Sequence, residues 1–70
     1  MHRYYMNVRQ DSRGYNEVHK ETCIWLPNPE NRYYIGEFSN CQAAIAEAKR
    51  QHPLLNPDGC KHCSEPCHNG

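Results

Sequence analysis

The sequence predicts a small α+β fold in which a three-stranded antiparallel sheet packs on one α-helix. Three observations support this prediction. Two segments near the start of the chain resemble strands joined by a glycine turn, a third aromatic segment follows a proline loop, and a single segment has helical periodicity. A chain of 70 residues has room for one hydrophobic core. We therefore expect residues 1–70 to form a single domain.

The first two strands are predicted to form a hairpin. In the segment RYYMNV, Tyr4, Met6 and Val8 alternate with Tyr5 and Asn7, which is the period of a half-buried strand. The next segment, DSRGYN, is rich in residues that favour turns. The chain is therefore expected to return antiparallel through YNEVHK.

A proline-rich loop and a third strand come next. The segment WLPNPEN holds Pro27 and Pro29, which disfavour regular structure and predict an extended loop. The segment RYYIGEF is rich in aromatic and β-branched residues and predicts a strand. Within that strand, Gly36 suggests a close approach of another group to the backbone.

The segment SNCQAAIAEAKRQHP predicts the helix. Ser39 is expected to cap it, with Gln42 completing a capping box, and Pro53 ends it. The alanines and the long charged side chains are strong helix formers. The helical progression places five residues on one face, which we expect to pack on the sheet: Cys41, Ala44, Ile45, Ala48 and His52.

Composition indicates that the hydrophobic core is too small to stabilise the fold alone. Hydrophobic residues make up 37% of the chain, below the usual range of about 45–50%. A core of this size supplies only about 3–5 kcal/mol, so small natural domains add a disulfide or a metal. No membrane span or signal peptide is visible in the sequence. A reducing cytoplasm is therefore expected, where clustered cysteines more often bind metal than pair as disulfides.

Two residue pairs have the spacing of zinc ligands. Cys60 and Cys63 form a C-x2-C pair, which can place two thiolates on one tetrahedral ion. His19 and Cys23 form an H-x3-C pair far upstream, beyond the third strand and the helix. Ligands from both ends of the chain close a long loop and couple metal binding to folding. We therefore predict a Zn²⁺ site formed by His19, Cys23, Cys60 and Cys63.

Alternative ligands lie just after the C-x2-C pair. Cys67 is the first reserve ligand and His68 is the second, because both lie within reach of Cys60 and Cys63. Cys41 is interpreted instead as a buried core residue, since it belongs to the apolar face of the helix.

Three segments together resemble a known family of zinc modules. VHKETCIWL, then YIGEFSNCQAAIAEAK, then DGCKHCSEPC is similar to the small Ada-type metal-binding module, which also occurs attached to bacterial nucleases. The resemblance covers about residues 18–66 and implies a structural zinc in a small sheet-and-helix fold. In the Ada branch, the first cysteine ligand accepts a methyl group from a DNA phosphotriester. His19 stands at that position here, and an imidazole cannot replace the thiolate, so alkyl transfer is not expected.

The sequence favours a binding protein over an enzyme. Three thiolates and an imidazole complete a tetrahedral set, as in closed structural sites, so no catalysis is expected. Trp25 is interpreted either as a lid on the core or, with Leu26, as an anchor for a protein partner. Nucleic-acid binding is the alternative function, although the formal net charge of zero argues against duplex binding. The basic residues available for it are Arg3, Arg9, Arg13 and Lys20. The chain is expected to be a monomer or a homodimer with no membrane contact.

Overall fold

A four-stranded mixed sheet and one α-helix form the framework of residues 1–68, the part of the chain that the computed structural model describes. The strands lie in the order β3-β1-β2-β4. The α+β class, the helix and the antiparallel pairing of three strands are confirmed. The prediction that these three strands make up the sheet is wrong, because a fourth strand adds to β2 in parallel. The elements are β1 (His2–Asn7), β2 (Asn16–Lys20), β3 (Arg32–Phe38), α1 (Cys41–Gln51) and β4 (Pro57–Gly59).

The predicted hairpin joins β1 to β2. Its turn is held by Asp11, whose Oδ1 accepts hydrogen bonds from the amides of Arg13 at 2.8 Å and Tyr15 at 3.0 Å. Gly14 adopts a φ of +86°, a conformation that other residues rarely take. The register then pairs Tyr5 with His19. This register matters because His19 was predicted to be a metal ligand.

The third strand lies at the edge of the sheet beside β1. The loop before it is not wholly extended as predicted, because Pro29–Asn31 forms a 3-10 turn. Within β3, the pairing with β1 shifts by one residue, and Gly36 has a φ of +148°. A Cβ at Gly36 would lie 3.1 Å from the Phe38 ring, so the predicted close approach is confirmed. The carbonyl of Ile35 accepts a hydrogen bond from Gln51 Nε2 at 3.2 Å. The register shift and the engagement of the Ile35 carbonyl by Gln51 both oppose pairing of this edge with a further strand.

The helix begins one residue later than the predicted cap requires. Asn40, not Ser39, is the N-cap, and its Oδ1 accepts a hydrogen bond from the amide of Ala43 at 2.8 Å. Asparagine is as good an N-cap as serine, so the local sequence offered two candidates. The predicted capping box of Ser39 and Gln42 is therefore wrong, while the predicted end of the helix before Pro53 is confirmed.

The strand β4 lies in the segment LLNPDG, which was predicted only to turn the chain. It has three residues, two of which, Pro57 and Gly59, are poor strand formers. A long-range contact creates it: the fully buried side chain of Asn16 accepts a hydrogen bond from the amide of Asn56 at 3.2 Å. Asn16 also donates to the carbonyl of Asn7 at 3.1 Å. The buried side-chain amide of Asn16 thus joins the start of β2 to the end of β1 and the start of β4.

The core lies between the sheet and the predicted apolar face of α1. Cys41 is 5% exposed, so its predicted burial is confirmed. Its sulfur, however, is bonded to Cys67 in a disulfide that the sequence interpretation did not anticipate. No helix in residues 1–68 is long and apolar enough to span a membrane. The buried cluster consists of Tyr4, Met6, Val18, Ile35, Cys41, Ala44 and Ala48.

Candidate metal centre

The four residues predicted to bind metal come together in the structure. One potential ligand atom from each of His19, Cys23, Cys60 and Cys63 lies within 4.8 Å of all the others. The sulfurs of Cys23 and Cys60 are 3.9 Å apart, close to the separation that a shared tetrahedral ion requires. These residues could therefore hold a metal ion, and they form the only such group among residues 1–68.

The strand β2 and the turn after it position the first ligand pair. Val18 and His19 are neighbours in β2, so their side chains project from opposite faces of the sheet. Val18 belongs to the core with α1, and His19 lies on the other face. The turn is closed by the amide of Cys23, which donates to the carbonyl of Lys20 at 3.0 Å. This turn brings the Cys23 sulfur back toward His19.

The strand β4 positions the second pair. The amide of Cys60 donates to the carbonyl of Val18 at 3.0 Å, which extends the pairing of β4 with β2 by one residue. The chain then turns tightly, and the amide of Ser64 donates to the carbonyl of Cys60 at 2.8 Å. The amide of Lys20 lies 3.4 Å from the Cys63 sulfur, a contact that favours the thiolate form. The unpredicted fourth strand is thus what carries the C-x2-C pair to β2.

His19 has the environment of a metal ligand rather than of a surface histidine. The residue is 1% exposed, and burial lowers its pKa to about 4, so the imidazole is neutral at neutral pH. Its Nδ1 is buried and has no hydrogen-bond partner in the described chain. An unpartnered polar atom in the interior is costly, and coordination to a metal would satisfy it. The ring's other nitrogen lies 3.7 Å from a carboxylate oxygen of Glu17. The residues present therefore fit a metal ion.

The pKa values of two thiols make metal binding sensitive to pH. Burial raises the pKa of Cys60 and of Cys63, and the thiol of Cys23 raises that of Cys63 further. Without metal, both thiols are therefore protonated at neutral pH. A metal ion binds the thiolates, so binding must release these protons.

We expect the apparent metal affinity to fall as the pH is lowered from about 8 to about 6, by about tenfold per pH unit for each displaced proton. Competition with a chromophoric chelator at several pH values measures this slope. An affinity that does not change with pH would contradict the assignment of thiolate ligands.

Both reserve ligands lie outside the cluster. Cys67 is bonded to Cys41, and a sulfur in a disulfide is not a thiolate ligand. His68 Nδ1 lies 3.0 Å from the carbonyl oxygen of Gly59 and 3.4 Å from a carboxylate oxygen of Asp58. The number of cysteines could have predicted the disulfide. Three of the five cysteines serve the predicted site, and two are left to pair with each other.

Next to the metal cluster, the structure exposes two large apolar side chains, Ile24 and Trp25. Trp25 is 57% exposed and Ile24 is 88% exposed, so the interpretation of Trp25 as a lid on the core is wrong. The amide of Leu26 donates to the carbonyl of Cys23 at 3.1 Å, which fixes this loop to the ligand turn. The indole of Trp25 lies against the ring of His62, with ring centroids 5.5 Å apart. Beside them is a cavity of about 340 Å³, lined by Glu17, Trp25, Cys60, Lys61, His62 and His68.

A second exposed surface lies on the open part of the sheet. Tyr5 and Tyr34 are cross-strand neighbours with ring centroids 5.3 Å apart. The guanidinium of Arg32 lies over the Tyr5 ring, 4.6 Å from its centroid. In the tyrosine pair of β1, by contrast, Tyr4 belongs to the core.

No protein-family model, curated protein or solved structure matches the chain. The class of the molecule is therefore defined by its own geometry: a small α+β fold with a three-cysteine, one-histidine cluster that could hold a metal. The resemblance to the Ada-type module stays a prediction.

Proposed function

We propose that the chain is a small structural-zinc protein that binds a protein partner and catalyses no reaction. The observation that carries the proposal is the convergence of four potential ligands, His19, Cys23, Cys60 and Cys63. One of them, Cys23, lies two residues before the exposed Trp25. The cluster would fix the loop that presents the indole.

The donor set supports zinc. Three thiolates and one imidazole favour zinc over magnesium or calcium, which prefer oxygen ligands. Four protein ligands fill a tetrahedral shell, so no position is left for water or substrate. When bound, the zinc ion would supply a cross-link between turns that lie 37 residues apart, at Cys23 and Cys60. Its role is therefore structural, and native mass spectrometry should detect one zinc ion per chain.

The exposed apolar loop supports protein binding. Tryptophan is enriched at the centre of protein interfaces, where its large ring fills a pocket and its N–H finds a partner. Trp25 lies beside a cavity that also has the cationic Lys61 at its wall. An apolar ring beside polar groups is the usual composition of a binding hot spot.

Replacing Trp25 by alanine should leave zinc content and thermal stability nearly unchanged, because the indole is mostly outside the core. Capture of a partner should fall by at least about tenfold, the effect of removing a hot-spot residue. Cross-linking pull-down with isotope-labelled wild type and variant measures the ratio. The matched control is Leu54→Ala, because Leu54 is 96% exposed but lies away from the loop's cavity. Equal loss in both variants, or loss in neither, would contradict the proposal.

The open sheet face favours a second candidate function, binding of single-stranded nucleic acid. Bases stack on exposed aromatic rings, and Tyr34, which is 52% exposed and lies beside Tyr5 and Arg32, provides such a ring. Two members of the predicted basic set are engaged by carboxylates, Arg13 by Asp11 at 3.1 Å and Arg3 by Glu21 at 3.9 Å. These ion pairs reduce the charge available to phosphates.

If the sheet face binds nucleic acid, a fluorescent oligothymidine should bind at micromolar protein, and binding should weaken steeply with salt. Tyr34→Ala should weaken it by about tenfold or more through the loss of one stacked base. Anisotropy measured at two salt concentrations tests both effects. Trp25→Ala serves as the control because it alters only the other surface, and an absence of binding at low salt would eliminate this candidate.

A further inference from the structure

The segment from Gly59 to His68 is tied to the rest of the molecule in two chemically different ways. Cys60 and Cys63 belong to the metal cluster. Four residues later, Cys67 forms the disulfide with Cys41, the first residue of α1. The same short segment therefore joins the candidate metal centre to the helix.

Backbone hydrogen bonds connect the metal ligands of this segment to its disulfide cysteine. The amide of Ser64 donates to the carbonyl of Cys60 at 2.8 Å, and the amide of Cys67 donates to the carbonyl of Ser64 at 2.9 Å. Ser64 is 1% exposed, so both hydrogen bonds are shielded from water. Two successive hydrogen-bonded turns thus fix the position of Cys67 relative to the ligand Cys60.

The backbone at Gly59 packs tightly against the turns that contain Ser64 and Cys67. A Cβ built on Gly59 would meet the carbonyl oxygen of Ser64 and would lie 2.6 Å from the Cβ of Cys67. Cys63 and Cys41 also line one small cavity between the metal cluster and the start of α1. A displacement of Cys67 would therefore shift the backbone at Gly59 and Ser64, on either side of Cys60 and Cys63.

We propose that the Cys41–Cys67 disulfide controls the metal affinity of the site. In the oxidised form, the covalent bond to Cys41 restricts the segment that carries Cys60 and Cys63, so metal binding has less of the chain to order. Reduction frees the segment, so metal binding must then order it at an entropic cost. The inference rests on the proposed metal site and adds its regulation.

The redox step is a two-electron thiol–disulfide exchange. Two glutathione molecules supply two electrons and two protons, the Cys41–Cys67 bond breaks, and both cysteines become thiols. The glutathione leaves as glutathione disulfide. Linkage is reciprocal, so zinc must oppose this reduction by the same factor by which the disulfide strengthens zinc binding.

The test compares the zinc affinity of the oxidised protein with that of a Cys41→Ser, Cys67→Ser double variant, by chelator competition. We expect the double variant to bind at least about tenfold more weakly, within the usual range of coupling between two sites. Replacing both cysteines prevents a free Cys67 thiol from entering the metal site. Equal or tighter binding by the variant would overturn the inference while leaving the proposed metal site intact. Failure of both proteins to bind zinc would overturn the metal site itself.

A second measurement avoids a variant that fails to fold. Wild-type protein is equilibrated in glutathione buffers with and without zinc, and the Cys41–Cys67 thiols are quantified by alkylation and mass spectrometry. Zinc should shift the glutathione ratio at half-reduction by at least about tenfold toward more reducing conditions. Magnesium, which disfavours sulfur ligands, is the matched control ion. An unchanged midpoint with zinc would overturn the proposal.

Discussion

Replacing Cys60 by serine should abolish metal binding and the cooperative fold together. Cys60 is 2% exposed and contributes both a thiol to the cluster and an amide to the pairing with β2. Structural zinc in small peptides supplies about 10–16 kcal/mol of binding free energy at neutral pH. A core of this size supplies only a few kcal/mol, and the Cys41–Cys67 disulfide adds about 2–4 kcal/mol. Loss of the ion should therefore exceed the stability that remains, and circular dichroism should show no cooperative thermal transition.

A neighbouring substitution separates this effect from local disturbance of the turn. Lys61 is exposed and follows Cys60 directly but contributes no ligand, so Lys61→Ala should retain one metal ion and the wild-type transition. Chelation of the wild-type protein should reproduce the behaviour of Cys60→Ser. A Cys60→Ser protein that kept one equivalent of metal and a sharp transition would contradict the four-residue site.

Replacing Gly59 by alanine should have the second largest effect. The new Cβ would collide with the carbonyl oxygen of Ser64 and approach Cys67 Cβ to 2.6 Å, and a backbone carbonyl cannot rotate away as a side chain can. We expect a loss of stability of at least about 3 kcal/mol, at the upper end of the cost of overpacking. Metal affinity should also fall, because Gly59 immediately precedes the ligand Cys60.

Gly14 provides the matched control for this substitution. It has a positive φ of 86°, but a Cβ there would meet no atom within 4 Å. Gly14→Ala should therefore cost only the backbone strain, about 1 kcal/mol, and should leave metal affinity unchanged. Denaturant unfolding combined with chelator competition measures both quantities. Similar losses of stability and metal affinity in the two variants would show that close packing around Gly59 is not the cause of the effect.

Local patterns explain why much of the framework could be predicted. Alternation in RYYMNV identified β1, the turn residues around Gly14 identified the hairpin, and periodicity identified the apolar face of α1. Each of these signals depends on neighbours in the sequence. The spacings of His19 with Cys23 and of Cys60 with Cys63 are local in the same sense, and the four residues do converge.

Two incorrect predictions are local, the N-cap of the helix and the extended loop at Pro29–Asn31, and the others concern contacts between residues far apart in the chain. The strand β4 has no strand propensity and exists because Pro57–Gly59 pairs with β2. The disulfide joins Cys41 to Cys67 across 26 positions, a pairing that no local spacing predicts. The exposure of Trp25 likewise depends on what the folded chain leaves uncovered.

The sequence by itself determined the fold class, the helix, the hairpin and the four candidate ligands, because periodicity and short spacings act within a few residues. Only the tertiary structure decided the parallel pairing of β4, the disulfide, the removal of Cys67 from the ligand set and the position of Trp25 outside the core. These features depend on the free energy of closing long loops and on competition among buried groups. No local pattern encodes that competition, since it is settled only when the whole chain packs together.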